Sequence, residues 1–353
     1  MEKVSNHYVP QFYLRNFSSD KKSVGIYNLK HSKYAKEASI KKQACKDYLY
    51  GEDGKIEDML MEIESQSARV IRNISETLRI PNKESEDYHI LLIFMLLSEA
   101  RNLRAADSFN NMVDVQMKTL LSLKRDHNIP PEFLEKHRVT ADIPNLMPIQ
   151  TTIQSYPVLL DLKCCLIENN SDRSFITSDN PLVRYNQMYI ARKYHIRGYG
   201  FGNMGIQLFL PITPRLCVCV FDDDLYDHVE NERGNISLTR GKHIDELNKL
   251  FYLNAYQTLY FNHELSASYI SRIIGSSHHN SDIGKEITIF GSDNSKLIAY
   301  SPRKVETKVN LPMFNINRKF VGMLLPPHMA GPMRPNAMEF LERTKKERKK
   351  SRG

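Results

Sequence analysis

The sequence predicts an α+β fold, a helical block packed against a mostly antiparallel β-sheet, with a basic C-terminal tail. Three observations predict it. Residues 55–79 repeat Ile56, Met59, Leu60, Ile63, Val70 and Ile74 near helical spacing, the pattern of a helix with one apolar face. The run from Ile90 to Leu97 is apolar all round, which suits a helix at the centre of a core. From about residue 158 the pattern changes. Segments 158–168, 174–177 and 207–221 read as strands, interrupted by the turn-forming Asn169-Asn170-Ser171-Asp172. We therefore expect one domain over 1–324, helical over about 55–157 and β-rich over about 158–300, then a Pro-rich linker and tail over 325–353.

The elements follow in order. Pro10 opens a short helix, because its missing N–H has no partner in a first turn, and Phe12, Tyr13, Leu14 and Phe17 anchor it. Ser23–Asn28 reads as a strand. A long helix is expected from about Glu84 to Asp107 and another from about Phe109 to Arg125, before the proline-rich connection 129–150 with a short helix inside it. Residues 192–203, rich in Gly, Tyr and Arg, read as a long loop. Helical spacing returns over 244–260 and 265–274. A hairpin pairs Glu286–Phe290 with Lys296–Tyr300 across 291–295, and Asn336–Lys350 forms a short basic helix.

Composition removes several classes of function. The longest apolar run is far short of the ~20 residues that cross a bilayer, and the opening residues are polar and charged rather than a secretion signal. Five cysteines, an odd number without a pairing framework, fit a reducing compartment, so we place the chain in the cytoplasm. Cys217 and Cys219 share one face of a strand; they lack the spacing and the second pair of a zinc site and read as buried thiols. The net charge of +8 is uneven: the last eleven residues hold seven basic groups and one acid, leaving +2 for the rest. A basic tail from Arg343 to Arg352 either contacts nucleic-acid phosphates or solvates the chain end. Phosphate loops, dinucleotide fingerprints, His-Glu-x-x-His and nucleophile elbows are missing from the sequence.

Two stretches concentrate chemistry. In His7-Tyr8-Val9-Pro10-Gln11-Phe12-Tyr13-Leu14-Arg15-Asn16-Phe17, Gln11 and Arg15 share a helix face just after His7. His7 is suited to proton transfer near neutral pH, or to a backbone-bonded place in the core. In Thr177-Ser178-Asp179-Asn180-Pro181, Pro181 keeps Asn180 out of helical geometry. Asp179 is then either a turn lock or a carboxylate held at a strand end for a metal ion. Glu57 and Glu64 lie seven apart on one helix face, and Arg101 is placed to pair with Glu57 or Asp179.

The opening stretch resembles the signature of the DUF4238 family, a His-Tyr-x-Pro-x-x-Tyr-Leu-x-x-Phe run. Cys45–Gly51 with the acidic helix start Ile56-Glu57-Asp58, the Thr-Ser-Asp-Asn-Pro block and Leu210-Pro211-Ile212-Thr213-Pro214 are similar to further parts of that family's pattern, in the same order over roughly residues 6–260. The chain has no Trp before the Thr-Ser-Asp block, where the family commonly has one; Cys164-Cys165 stand in that region. The resemblance implies a bacterial intracellular protein and brings no activity with it.

From these residues we expect a nucleic-acid-related enzyme, a metal-dependent nuclease in a bacterial defence or toxin-like setting. His7 would act as general acid or base, Asp179 and Glu57 would hold Mg²⁺ or Mn²⁺, and Gln11, Arg15, Arg101 and Asn180 would bind substrate. The alternative is a non-catalytic module that binds nucleic acid or protein, as a sensor or partner subunit.

Overall fold

The computed structural model describes residues 5–123, 130–191, 198–279, 282–292, 295–300, 305–322 and 332–350. Strand β1 (Ser5–His7), helix α1 (Gln11–Arg15), the hairpin of β2 (Ser23–Asn28) and β3 (Lys33–Ser39), and β4 (Cys45–Asp47) form the N-terminal part. The helical block is α2 (Lys55–Thr77), α3 (Glu86–Ala100), α4 (Leu103–Leu123), α5 (Pro131–Lys136) and α6 (Leu146–Ser155). The β-rich part holds β5 (Lys163–Asn169), β6 (Thr177–Ser178), β7 (Val183–Tyr185), the short α7 (Gln187–Ala191), β8 (Gln207–Pro211), β9 (Leu216–Phe221), β10 (Tyr226–Asp227) and β11 (Ile236–Leu238). After it come α8 (Gly241–Asn254), β12 (Thr258–Phe261), α9 (Ala267–Gly275), the hairpin β13 (Ile287–Ser292) and β14 (Ser295–Tyr300), β15 (Asn315–Ile316) and α10 (Pro335–Lys350). The architecture is α+β, as the change of periodicity predicts.

A five-stranded sheet in the order β11-β5-β9-β8-β7 and a four-stranded sheet in the order β3-β2-β12-β6 carry the fold. Among these pairs only β11 with β5 is parallel. Strand alternation splits the apolar residues between two cores. Leu166, Leu208, Leu210, Val218 and Val220 face the core that also holds α2 and α3 residues. Their neighbours Cys165, Ile167, Phe209, Cys217, Cys219 and Phe221 face a second core with α8 and α9. The sheet is thus covered on both faces, which is why β9 is buried at every position and the Cys217 and Cys219 thiols are inaccessible. At Gly25 the β2–β3 register shifts, and a Cβ there would lie 2.4 Å from the Phe261 ring, so only glycine fits.

Several elements differ from the sequence reading: the strand read from 158 starts at Lys163, after a 3-10 turn over Tyr156–Leu159, and three further cases show their physical reason. The helix expected over 84–107 breaks after Ala100. Asn102 Oδ1 accepts from the Ala105 N–H at 2.9 Å and starts α4, while Tyr50 donates to the Arg101 carbonyl at 2.7 Å. The helix expected over 244–260 stops at Asn254, because the N–H groups of Tyr256, Gln257 and Thr258 donate to Asp179 instead of to helix carbonyls. Strand β3 was not expected: Lys33–Ser39 is mainly polar and lies at a sheet edge, where periodicity is weak. Residues 192–197 of the Gly/Tyr/Arg loop and 323–331 of the Pro-rich linker lie outside the described residues. Residues 332–337 are docked on the body, through Pro332, Arg334 and the buried Ala337.

The stretches that carry the family resemblance meet in space. The buried Tyr13 hydroxyl donates to the Pro211 carbonyl at 2.5 Å and receives the Thr177 hydroxyl at 2.7 Å, so α1, the Thr-Ser-Asp block and the end of β8 close on one oxygen. Tyr8 N–H bonds Ala44 O at 2.8 Å, joining the opening segment to the residues around Cys45. Tyr13→Phe leaves the Pro211 carbonyl and the Thr177 hydroxyl buried without this partner. It should lower the unfolding free energy by about 1–3 kcal/mol, read as an earlier urea midpoint at unchanged slope.

Candidate functional site

His7 ends β1 opposite Cys45. Its Nε2 lies 3.2 Å from the Lys41 carbonyl and 3.3 Å from Gln11 Nε2, and Arg15 donates to Gln11 Oε1 at 2.9 Å. The ring nitrogen either donates to Lys41 or accepts from Gln11, because one atom holds the proton or the lone pair. Burial lowers the His7 pKa, against the Lys41 carbonyl, which raises it. His7, Gln11 and Arg15 are therefore brought together, as their spacing implies.

Arg101 sits behind this group, almost wholly buried. It bonds Glu64 at 2.5 Å and the His7 carbonyl at 2.7 Å, and its guanidinium lies 5.7 Å from the Tyr50 ring centre. Its carboxylate partner is thus Glu64, not Glu57 or Asp179. Glu57 instead accepts from Asn6 at 3.0 Å, and Asn6 also accepts the Tyr50 N–H. Arg101 and Glu57 hold the N-terminal segment against α2 and α3.

Asp179 and Asn180 belong to a second cluster. Both Asp179 oxygens are engaged: Tyr256 donates to Oδ1 at 2.8 Å, and Gln257 and Thr258 donate to Oδ2 at 2.7 and 3.0 Å. Burial outweighs these donors and pushes the Asp179 pKa up to about 6. Asn180 accepts from Asn102 at 2.7 Å and donates to the Asn254 carbonyl, and Asn254 donates back to the Asn180 carbonyl. None of these bonds joins Asp179 to His7 or Glu57. Among the described residues no three His, Cys, Asp or Glu side chains are grouped to hold a metal ion.

Asn180 also lines a cleft of about 550 Å³ between the helical block and the β-rich part. Ala105, Phe109 and Met112 of α4, with Met147 and Pro148 of α6, form its apolar wall. The polar wall contains two arginines. Arg184 bonds Glu99 through Nε at 2.6 Å and lies 3.6 Å over the Phe201 ring. Arg104 bonds the buried Glu286 at 2.5 Å; Glu286 also accepts from Ser108, which sits 2.8 Å from the Tyr300 hydroxyl. Phe201 is held in place from below by the C-terminal segment. Arg334, buried, bonds Asp161 at 2.7 Å and the carbonyls of Phe201, Asn203 and Val158 at 2.8, 2.9 and 2.7 Å. A Cβ on Gly202 would stand 2.7 Å from Met333 and 3.0 Å from Ala337, so glycine lets α10 approach this closely.

Of the residues expected to act in catalysis or binding, only Asn180 lines the cleft. Arg184 follows the Thr-Ser-Asp block by a few residues and Phe201 lies in the Gly-aromatic run, yet Glu99, the partner of Arg184, comes from α3 and Arg334, which holds the Phe201 carbonyl, from the C-terminal segment, and no local signal connects them.

The model of the family described as Protein of unknown function (DUF4238) matches residues 5–264, and the chain belongs to that family. No curated protein and no solved structure matches it.

Asp179 makes a pH prediction. Its folded pKa is raised from 3.8 to about 6, so the stabilisation from its neutral form is full below about 3.8 and lost as pH rises through about 6. The difference in unfolding free energy between the natural protein and Asp179→Asn should therefore fall by about 3 kcal/mol across that window. A difference independent of pH between 3.5 and 7 would show that burial does not govern this carboxyl.

Proposed function

We propose that this DUF4238 member is a binding module whose cleft takes a neutral, planar and partly apolar molecule, and that it serves as a sensor or partner subunit. The observation that carries this reading is the pairing of both cleft arginines with acids, Arg184 with Glu99 and Arg104 with Glu286. An anionic ligand would compete with carboxylates already in place, whereas a neutral one meets guanidinium, hydroxyl and carboxamide groups opposite an apolar wall. Concave sites with mostly apolar lining and a few placed polar groups suit small molecules. Five free thiols support a reducing, cytoplasmic setting, and the family resemblance supports a bacterial one. In ligand-observed NMR with a panel of nucleobases and aromatic carboxamides, we expect binding by at least one member. Ala105→Trp, which fills the cleft from α4, should abolish it. Binding by no member, or binding that survives Ala105→Trp, would overturn the reading.

A metal-dependent nuclease is the second reading, and His7 favours it: the ring is half-buried and touches Gln11, and burial lowers its pKa, which favours the neutral form that a general base uses. Mg²⁺ or Mn²⁺ would be held at Asp179 or at Glu57, which belong to separate clusters, and the basic tail from Arg343 to Arg352 would contact the nucleic acid. Purified protein should then cut mixed DNA and RNA only with one of these ions, and a folded His7→Ala variant should lose at least a hundredfold in rate. Absence of cleavage under every condition removes this reading.

A further inference from the structure

Residues 21–46 hold eight lysines, at 21, 22, 30, 33, 36, 41, 42 and 46, and one acid, Glu37. All eight lysines are exposed. No ion pair among the described residues includes any of them. They lie on one stretch of chain: the entry to β2, the β2–β3 hairpin, the turn Ile40–Lys42 that follows it, and β4, which pairs with β1 in a separate sheet. Strand β3 is the free edge of its sheet and runs for about 20 Å. Arg15 adjoins this stretch, since Lys21 donates to its carbonyl at 3.2 Å and the Lys41 carbonyl meets His7, which Gln11 links to Arg15.

We propose that this hairpin is a docking face for the phosphate backbone of nucleic acid, separate from the cleft and independent of the reading given for it. Edge protection accounts for lysines on β3 itself, Lys33 and Lys36, but not for the six in the flanking turns and strands. Solubility does not account for the distribution either. This segment carries +7 and the last eleven residues +6 of a total of +8, so the rest of the chain is at −5. Charge is segregated, and like charges that no described acid pairs, carried on one stretch of chain, raise a local potential that attracts a polyanion. The residue type narrows the partner. The segment has lysines and no arginine, the pattern of point contacts to phosphate rather than forked base reading. No large apolar side chain in 21–46 is exposed, so the segment lacks the anchors with which a basic surface enters a membrane.

The test is fluorescence anisotropy of the full chain with a labelled 30-base-pair DNA duplex and a 30-nucleotide single strand, titrated from 50 to 300 mM NaCl. Lys33→Gln/Lys36→Gln/Lys41→Gln/Lys42→Gln should weaken duplex binding at least about tenfold at 100 mM salt. It should also reduce the slope of log K against log salt by about 0.9 for each lysine that meets a phosphate. Lys41→Gln/Lys42→Gln, which leaves the β3 edge guarded, should give about half the change in slope, with the melting temperature unchanged. Unchanged binding in the first variant would overturn the proposal, as would loss only on deleting 343–353. Binding to phosphatidylserine vesicles without binding to either DNA would overturn it in favour of a membrane surface.

Discussion

Buried backbone groups must be bonded, and most of this fold follows from how that demand is met at the break between α3 and α4. There the chain leaves one helix and starts another inside the protein. The Arg101 carbonyl is taken by Tyr50, the Ala105 N–H by Asn102, and the carbonyls of residues 100 and 102 by Asn145. The two side chains at the break then reach in opposite directions. Arg101 secures the His7 carbonyl and Glu64, and Asn102 secures Asn180. One interruption in a helix thus ties the N-terminal segment to the strand-end turn of the β-rich part.

This arrangement explains why the motif residues make better fasteners than reagents. Asp179 is bonded to three consecutive N–H groups and ends α8 by doing so. Asn180 and Asn254 exchange carboxamide and carbonyl bonds across the same corner. Tyr13 closes two distant segments on a single hydroxyl. Polar groups that are buried and fully bonded define geometry closely, because any displacement leaves several of them unsatisfied together. The cleft lies on the far side of this rigid corner, with Asn102 and Asn180 shared between the two.

What the sequence made legible divides along the same line. The apolar periods of α2 and α3, the strands β8 and β9, the shared face of Cys217 and Cys219, and the grouping of His7, Gln11 and Arg15 all rest on spacing within one segment, and all were readable. Glu64 as the partner of Arg101, the stop of α8 at Asn254 and the Arg184–Glu99 pair depend on contacts 37, 77 to 79 and 85 residues apart. Single-segment patterns hold no record of such contacts. The buried asparagines are the clearest case: as a residue type asparagine signals turns and exposure, and here Asn102, Asn145, Asn180, Asn248 and Asn254 are all inside.

The Arg334 anchorage sets a schedule for biosynthesis. Its partners at Val158, Asp161, Phe201 and Asn203 are translated well before it, and their bonds to the guanidinium wait until residue 334 leaves the ribosome. At ordinary elongation rates that interval is on the order of ten seconds. During it Phe201 lacks the hold of the Arg334 guanidinium on its carbonyl. The support beneath Phe201 is therefore completed only after the rest of the cleft wall has been made, and a message truncated before codon 334 encodes a wall without it.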